Sequence, residues 1–87
     1  MKKIVMLYLP DCPFCEDAFL FVEELRNENP EFAELVIDAI NEKEEPEVAG
    51  QYDYYFVPTY YVDGVKVHEG ICDKELIESV LRAALAD

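Results

Sequence analysis

The sequence predicts a mixed α/β fold of order βαβαββα, in one domain over residues 1–87. Three observations carry this. The apolar run Ile4 to Tyr8 passes into a stretch with helical spacing, and a second apolar run, Leu35 to Ile40, follows it. Further on, two β-rich runs flank Asp63-Gly64, ahead of a C-terminal segment whose apolar residues again recur at helical spacing.

The first strand is bounded by Lys2-Lys3 and Pro10, and its unbroken apolarity fits a central strand covered on both faces. Phe14, Ala18, Phe21, Val22 and Leu25 then form an apolar stripe, with Glu16, Asp17, Glu23 and Glu24 between them. Asn29-Pro30 ends this helix, because the residue before a proline is pushed out of helical geometry. Leu35 to Ile40 reads as a second buried strand, parallel to the first through a right-handed crossover. Val48, Ala49 and Tyr52 supply a weak stripe for a short helix over about 44–52, which Gly50 weakens. Thr59 to Val62 and Val65 to His68 make a hairpin, since Asp-Gly tolerates the positive φ of a tight turn. Gly70 breaks the strand and Asp73 is a good N-cap. Leu76, Ile77, Val80, Leu81, Ala84 and Leu85 form the inner face of the last helix.

Composition excludes several functions. With 20 acidic and 7 basic side chains, the net charge of −13 repels phosphate backbones and anionic headgroups, so neither nucleic acid nor membrane is an expected partner. The apolar run after the two N-terminal lysines is too short for a signal peptide, and no run approaches the roughly 18 residues of a membrane span. The expected location is the cytoplasm, where three cysteines do not make a disulfide framework. The chain is expected to be a monomer.

The chemistry concentrates in Cys12-Pro13-Phe14-Cys15, at the junction of the first strand and first helix. Pro13 fits the first helical turn, where its missing N–H costs nothing. Cys12 then sits at the helix N-terminus, whose orphan N–H groups and dipole favour negative charge on the sulfur, while Asp11, Glu16 and Asp17 oppose it. Cys15, one turn later, faces back toward Cys12. Such spacing also occurs in zinc sites, but those want two close ligand pairs, and here Cys72 and His68 are scattered; no metal ligands are assigned. His68 reads as a solvated strand residue. Strand alternation should bury one of Tyr60 and Tyr61.

Val57-Pro58 precedes the hairpin. Taken with the element order, Cys12-Pro13-Phe14-Cys15 and Gly70-Ile71-Cys72-Asp73 before the last helix, it makes the whole chain resemble a glutaredoxin of the thioredoxin-fold superfamily. Thioredoxins proper are similar but normally carry an additional N-terminal strand and helix and a tryptophan before Cys-Gly-Pro-Cys. The resemblance implies a thioredoxin fold, a four-stranded mixed sheet with helices on both faces. It implies that Cys12 is the nucleophile, Cys15 the resolving thiol and Pro58 a cis-proline against the dithiol. The Val57 backbone would pair with a bound thiol peptide, with Pro13 and Phe14 beside it. Asp73 matches the aspartate that helps hold the amino end of glutathione.

Departures from the family bear on the substrate. Glutaredoxins usually have a lysine where Leu9 stands, residues 44–61 hold no Lys or Arg, and the family's Gly-Gly is Gly70-Ile71. Glutathione is therefore a candidate co-substrate whose tight binding these positions argue against, and no cofactor is expected to be tightly bound. The expected function is reduction of protein or low-molecular-weight disulfides by the Cys12/Cys15 couple, re-reduced by an unidentified reductase or thiol. A metal or iron-sulfur carrier and a catalytically weak thioredoxin-fold binding module are the alternatives.

Overall fold

The computed structural model describes residues 1–86. Its elements are β1 (Ile4–Tyr8), α1 (Pro13–Glu28), a single 3₁₀ turn (Pro30–Phe32), β2 (Ile37–Asn41), α2 (Pro46–Ala49), β3 (Thr59–Val62), β4 (Val65–Glu69) and α3 (Lys74–Leu85). The strands form one sheet in the order β2-β1-β3-β4. β1 runs parallel to β2, with Ile4 opposite Ile37, and antiparallel to β3, with Ile4 opposite Val62. This is the predicted mixed α/β fold.

Because side chains alternate across a strand, β1 feeds two cores at once. Ile4 and Met6 join Val22, Leu25, Tyr60 and Ile77 in the larger one, under α1 and α3. Val5 and Leu7 join Ile40, Ala49 and Tyr61 in the smaller one, under α2. Helices therefore cover both faces. Phe32, placed by the 3₁₀ turn after Pro30, is fully buried in the larger core, where a side chain of its size contributes about 2–3 kcal/mol.

Three local expectations need correction. The second strand begins at Ile37, two residues later than read, and is not buried throughout: it lies at the sheet edge, and Asp38 and Ala39 are exposed. Leu35 is still buried, but its carbonyl accepts a hydrogen bond from Arg26 Nη2 at 2.6 Å instead of joining the ladder. The second helix spans only Pro46–Ala49, since Gly50 already serves as its C-cap. Finally, β3 buries both tyrosines, Tyr60 into one core and Tyr61 into the other, because a central strand has no solvent face. The hairpin turn is as read, with φ of 52° at Asp63 and 81° at Gly64.

Candidate active site

Cys12 is the N-cap of α1, with extended backbone (φ −96°, ψ 113°), and Pro13 occupies the first turn. Its carbonyl accepts from the N–H of Cys15 at 3.0 Å and of Glu16 at 3.1 Å, so the first turn of the helix is built on Cys12 itself. The preceding turn is closed by the Cys12 N–H to Leu9 carbonyl bond at 3.4 Å. This leaves the Cys12 side chain half-buried at the end of the sheet, whereas Cys15, one turn on and facing inward, is 1% exposed.

The two thiols are chemically distinct in consequence. Burial pushes the Cys15 thiol up to about 12, against a lowering backbone hydrogen bond at Leu9, with further raising from the neighbouring Cys12 and Cys72. Cys15 is therefore protonated at neutral pH. Cys72 is half-buried against the larger core, and burial first, then the charges of Asp73 and Asp17, push it up to about 11. All three cysteines are free thiols.

Across from Cys12 lies the segment before β3. The Val57-Pro58 peptide is cis, and the Val57 carbonyl oxygen is 4.0 Å from Cys12 Sγ. Pro58 is buried, while Val57 is half-buried with its backbone beside the thiol. The Gly70 N–H donates to the Pro58 carbonyl at 2.9 Å, and Gly70 takes a φ of 97°, where a side chain would be strained. Phe14 (46% exposed), Phe56 (67%) and Ile71 (67%), next in sequence to Pro13, Val57 and Gly70, present apolar surface to solvent.

The remaining site residues divide. Pro13 and Phe14 open α1 directly after Cys12, both exposed. Asp73 is the N-cap of α3, its Oδ1 accepting from the Leu76 N–H at 2.8 Å, so one of its oxygens is committed to the helix. His68 is tied down more than its reading as a solvated residue implied, with Nε2 3.0 Å from the carbonyls of both Gly70 and Ile71. Two residues were missed. Lys43 lines a cavity of about 200 Å³ with Leu9, Pro10, Asp11 and Cys12, one position outside the stretch 44–61 that lacks cations. Its backbone is set there by Asn41 Oδ1, which accepts from the Lys43 N–H at 3.0 Å, a local turn that Asn41 signals. Glu69 holds the backbone ahead of Val57, a tertiary contact with no sequence signal. A cavity of about 460 Å³ along α1 and β2 has no cysteine in its lining. No cluster of three or more His, Cys, Asp or Glu side chains able to hold a metal ion occurs among the described residues, nor a helix long and apolar enough to cross a membrane.

A dithiol at the N-terminus of α1, facing a cis-proline segment on a sheet covered by helices on both faces, defines a thioredoxin-fold thiol-disulfide oxidoreductase. Comparison narrows this further. No family model matches the sequence. The thioredoxin of Methanocaldococcus jannaschii is 34% identical over 83 residues, covering 95% of either chain. The chain belongs to the thioredoxin family. Among solved structures, the fold is similar to that of the oxidised thioredoxin from Plasmodium falciparum (TM-score 0.72, 19% identity, 98% of this chain and 82% of that one). It is also similar to a mutant thioredoxin from Halobacterium salinarum NRC-1 (TM-score 0.71, 21% identity, 99% and 76%). A protein disulfide oxidoreductase from Aeropyrum pernix K1 is 27% identical with a TM-score of 0.64, the match covering 97% of this chain and 38% of that longer one. The relatives are thus thioredoxins and a disulfide oxidoreductase, where the sequence resemblance pointed more narrowly to glutaredoxins.

Proposed function

We propose that Cys12 is the attacking thiolate and Cys15 the resolving thiol of a dithiol-disulfide couple that reduces disulfide-bearing proteins. The observation that carries this is the asymmetry of the two sulfurs: Cys12 half-exposed at the start of α1 and 4.0 Å from the Val57 carbonyl, Cys15 buried and protonated. Cys12 attacks one sulfur of the substrate disulfide, and the other sulfur leaves as a thiolate and takes up a proton. The Cys15 sulfur then attacks Cys12 Sγ in the mixed disulfide, its proton passes to the departing substrate sulfur, and Cys12-Cys15 closes as a disulfide. One substrate disulfide becomes two thiols, and the protein is oxidised by two electrons.

In this reading, the backbone of Val57 pairs with an extended substrate segment, Pro58 shapes that edge, and Pro13 and Phe14 border it. The glutaredoxin-like features, Cys-Pro-Phe-Cys and Asp73, support acceptance of small thiol disulfides as well, and Lys43 beside Cys12 supplies a cation that Leu9 does not. Glutathione would then be a co-substrate and not a bound cofactor. The protein acts as a cytoplasmic monomer, recycled by an external thiol or reductase.

The test is reduction of a protein disulfide by pre-reduced protein. Cys12→Ser should abolish it, while Cys15→Ser should keep the first step and release less than one product thiol pair per mixed disulfide formed. Equal, partial activity in both variants would overturn the assignment. Re-reduction of the oxidised protein by glutathione with its reductase, against a thioredoxin reductase, identifies the electron donor.

A further inference from the structure

Residues 50–58 run from α2 to β3 without regular secondary structure and end in the Val57 edge beside Cys12. Tyr52 and Tyr54 pack against the smaller core, but side-chain packing does little to hold the stretch just before Val57, where Tyr55 is 86% and Phe56 67% exposed. Polar groups aimed at the backbone hold it instead. On β3, the Tyr61 hydroxyl accepts from the Asp53 N–H at 3.1 Å and donates to the Asp53 carbonyl at 2.6 Å, and Thr59 Oγ1 donates to the Phe56 carbonyl. On β4, Glu69 stands opposite Thr59 in the ladder and turns its carboxylate onto the same segment. Its Oε2 accepts from the N–H groups of both Tyr55 and Phe56, the latter at 2.9 Å, while Oε1 lies 2.8 Å from Lys66 Nζ.

Two successive N–H groups converging on one carboxylate oxygen form a small anion nest, and such charge-assisted bonds are stronger than neutral ones. Lys66 first, then the two N–H groups, hold the Glu69 carboxyl down at about 2, so it is ionised at neutral pH. The three side chains act at different points of the segment. Tyr61 fixes it at Asp53, whereas Glu69 and Thr59 fix the three consecutive peptides from Tyr54–Tyr55 to Phe56–Val57 that lead into Val57.

We infer that Glu69 is a positioning residue for substrate docking: its carboxylate orients the Tyr55 and Phe56 peptides so that the Val57 edge is formed before a substrate segment arrives. This rests on the reading of Val57 as the edge that pairs with substrate. Ordering the edge in advance lowers the cost of binding, so its loss appears in the apparent affinity for a protein disulfide. Glu69 touches neither sulfur, so the limiting rate of exchange at Cys12 is untouched. A disulfide with no peptide backbone gains nothing from the edge.

Single-turnover reduction by pre-reduced protein, over a range of substrate concentration, separates these effects. The substrates are an unfolded, disulfide-bonded protein and bis(2-hydroxyethyl) disulfide. Glu69→Ala should raise the apparent dissociation constant for the protein about tenfold, from the loss of two hydrogen bonds, with the limiting rate kept within about twofold. The rate with bis(2-hydroxyethyl) disulfide should stay within about twofold of wild type. Glu69→Gln, whose amide oxygen still accepts both N–H groups, should restore most of the affinity. If Glu69→Ala does not fold, Glu69→Asp, with its carboxylate drawn back by about 1.5 Å, should show the same split while Glu69→Gln does not. Equal losses on both substrates, or no change with the protein, would overturn the inference. Failure of the underlying reading looks different: the wild type would then reduce the protein with no saturable binding.

Discussion

Cys12 and Cys15 are separated by three positions yet sit in unequal surroundings, and helix geometry is the reason. The N-cap lies outside the helix and keeps its side chain at the sheet end, while the residue one turn on points into the protein and is desolvated. Burial holds Cys15 at about 12, so its thiol keeps its proton at neutral pH, in keeping with the resolving role proposed for it. Glu69 offers a pH test at the same scale. Its carboxyl is lowered from 4.5 to about 2 by Lys66 and the N–H groups of Tyr55 and Phe56. A depressed folded-state pKa means the ionised form is favoured in the fold, so its contribution is present above about pH 4.5 and is lost as the pH falls from there toward 2. In urea unfolding followed from pH 6 to 2, wild type should lose its advantage over Glu69→Gln across that window. A difference that does not change with pH would contradict the contact. The paired cysteines and Pro13 were legible because their signals are local, in spacing and ring geometry beside an apolar run, whereas Pro58 was reached through the resemblance of Val57-Pro58 before the hairpin to a cis-proline turn. Glu69 was not legible, because its partners lie 13 and 14 positions back along the chain.

At the scale of elements, strands and helices were read best where a boundary residue has one dominant local effect. Asp73 is the clearest case. Its Oδ1 caps the Leu76 N–H at 2.8 Å, satisfying one of the donors that a helix start leaves unpaired. Asp73→Ala should therefore cost about 1 kcal/mol of stability, measured by chemical denaturation at neutral pH, and Asp73→Ser should recover much of it. No loss in the alanine variant would mean that α3 is held by its buried face alone, through Ile77, Val80, Leu81 and Ala84. The elements read less well were those whose surroundings are set by sheet order. Leu35 to Ile40 has the apolarity of a central strand, but its edge place exposes Asp38 and Ala39. Tyr60 and Tyr61 look like an alternating pair, but β3 lies between β1 and β4 with helices over both faces, so both are buried. Apolarity alone does not say which strand is central, and that information resides in the pairing of β1 with β3.

For the whole molecule, the sheet order β2-β1-β3-β4 is what assembles the site. It sets β1 beside β3, so the turn leaving β1 and the segment entering β3 meet at one end of the sheet. Cys12 and Val57, 45 positions apart in sequence, are thereby brought to 4.0 Å between Sγ and the carbonyl oxygen. A net charge of −13 bears on solubility and association, not on the fold. The central claim, that one half-buried sulfur attacks and one fully buried sulfur resolves, is tested most directly by mapping a trapped intermediate. Cys15→Ser protein is mixed with an excess of a protein disulfide, quenched with acid, digested without reductant, and the intermolecular disulfide located by mass spectrometry. The predicted result is a mixed disulfide at Cys12, with Cys72 still a free thiol. A substrate linked to Cys72, or spread evenly between Cys12 and Cys72, would contradict the account.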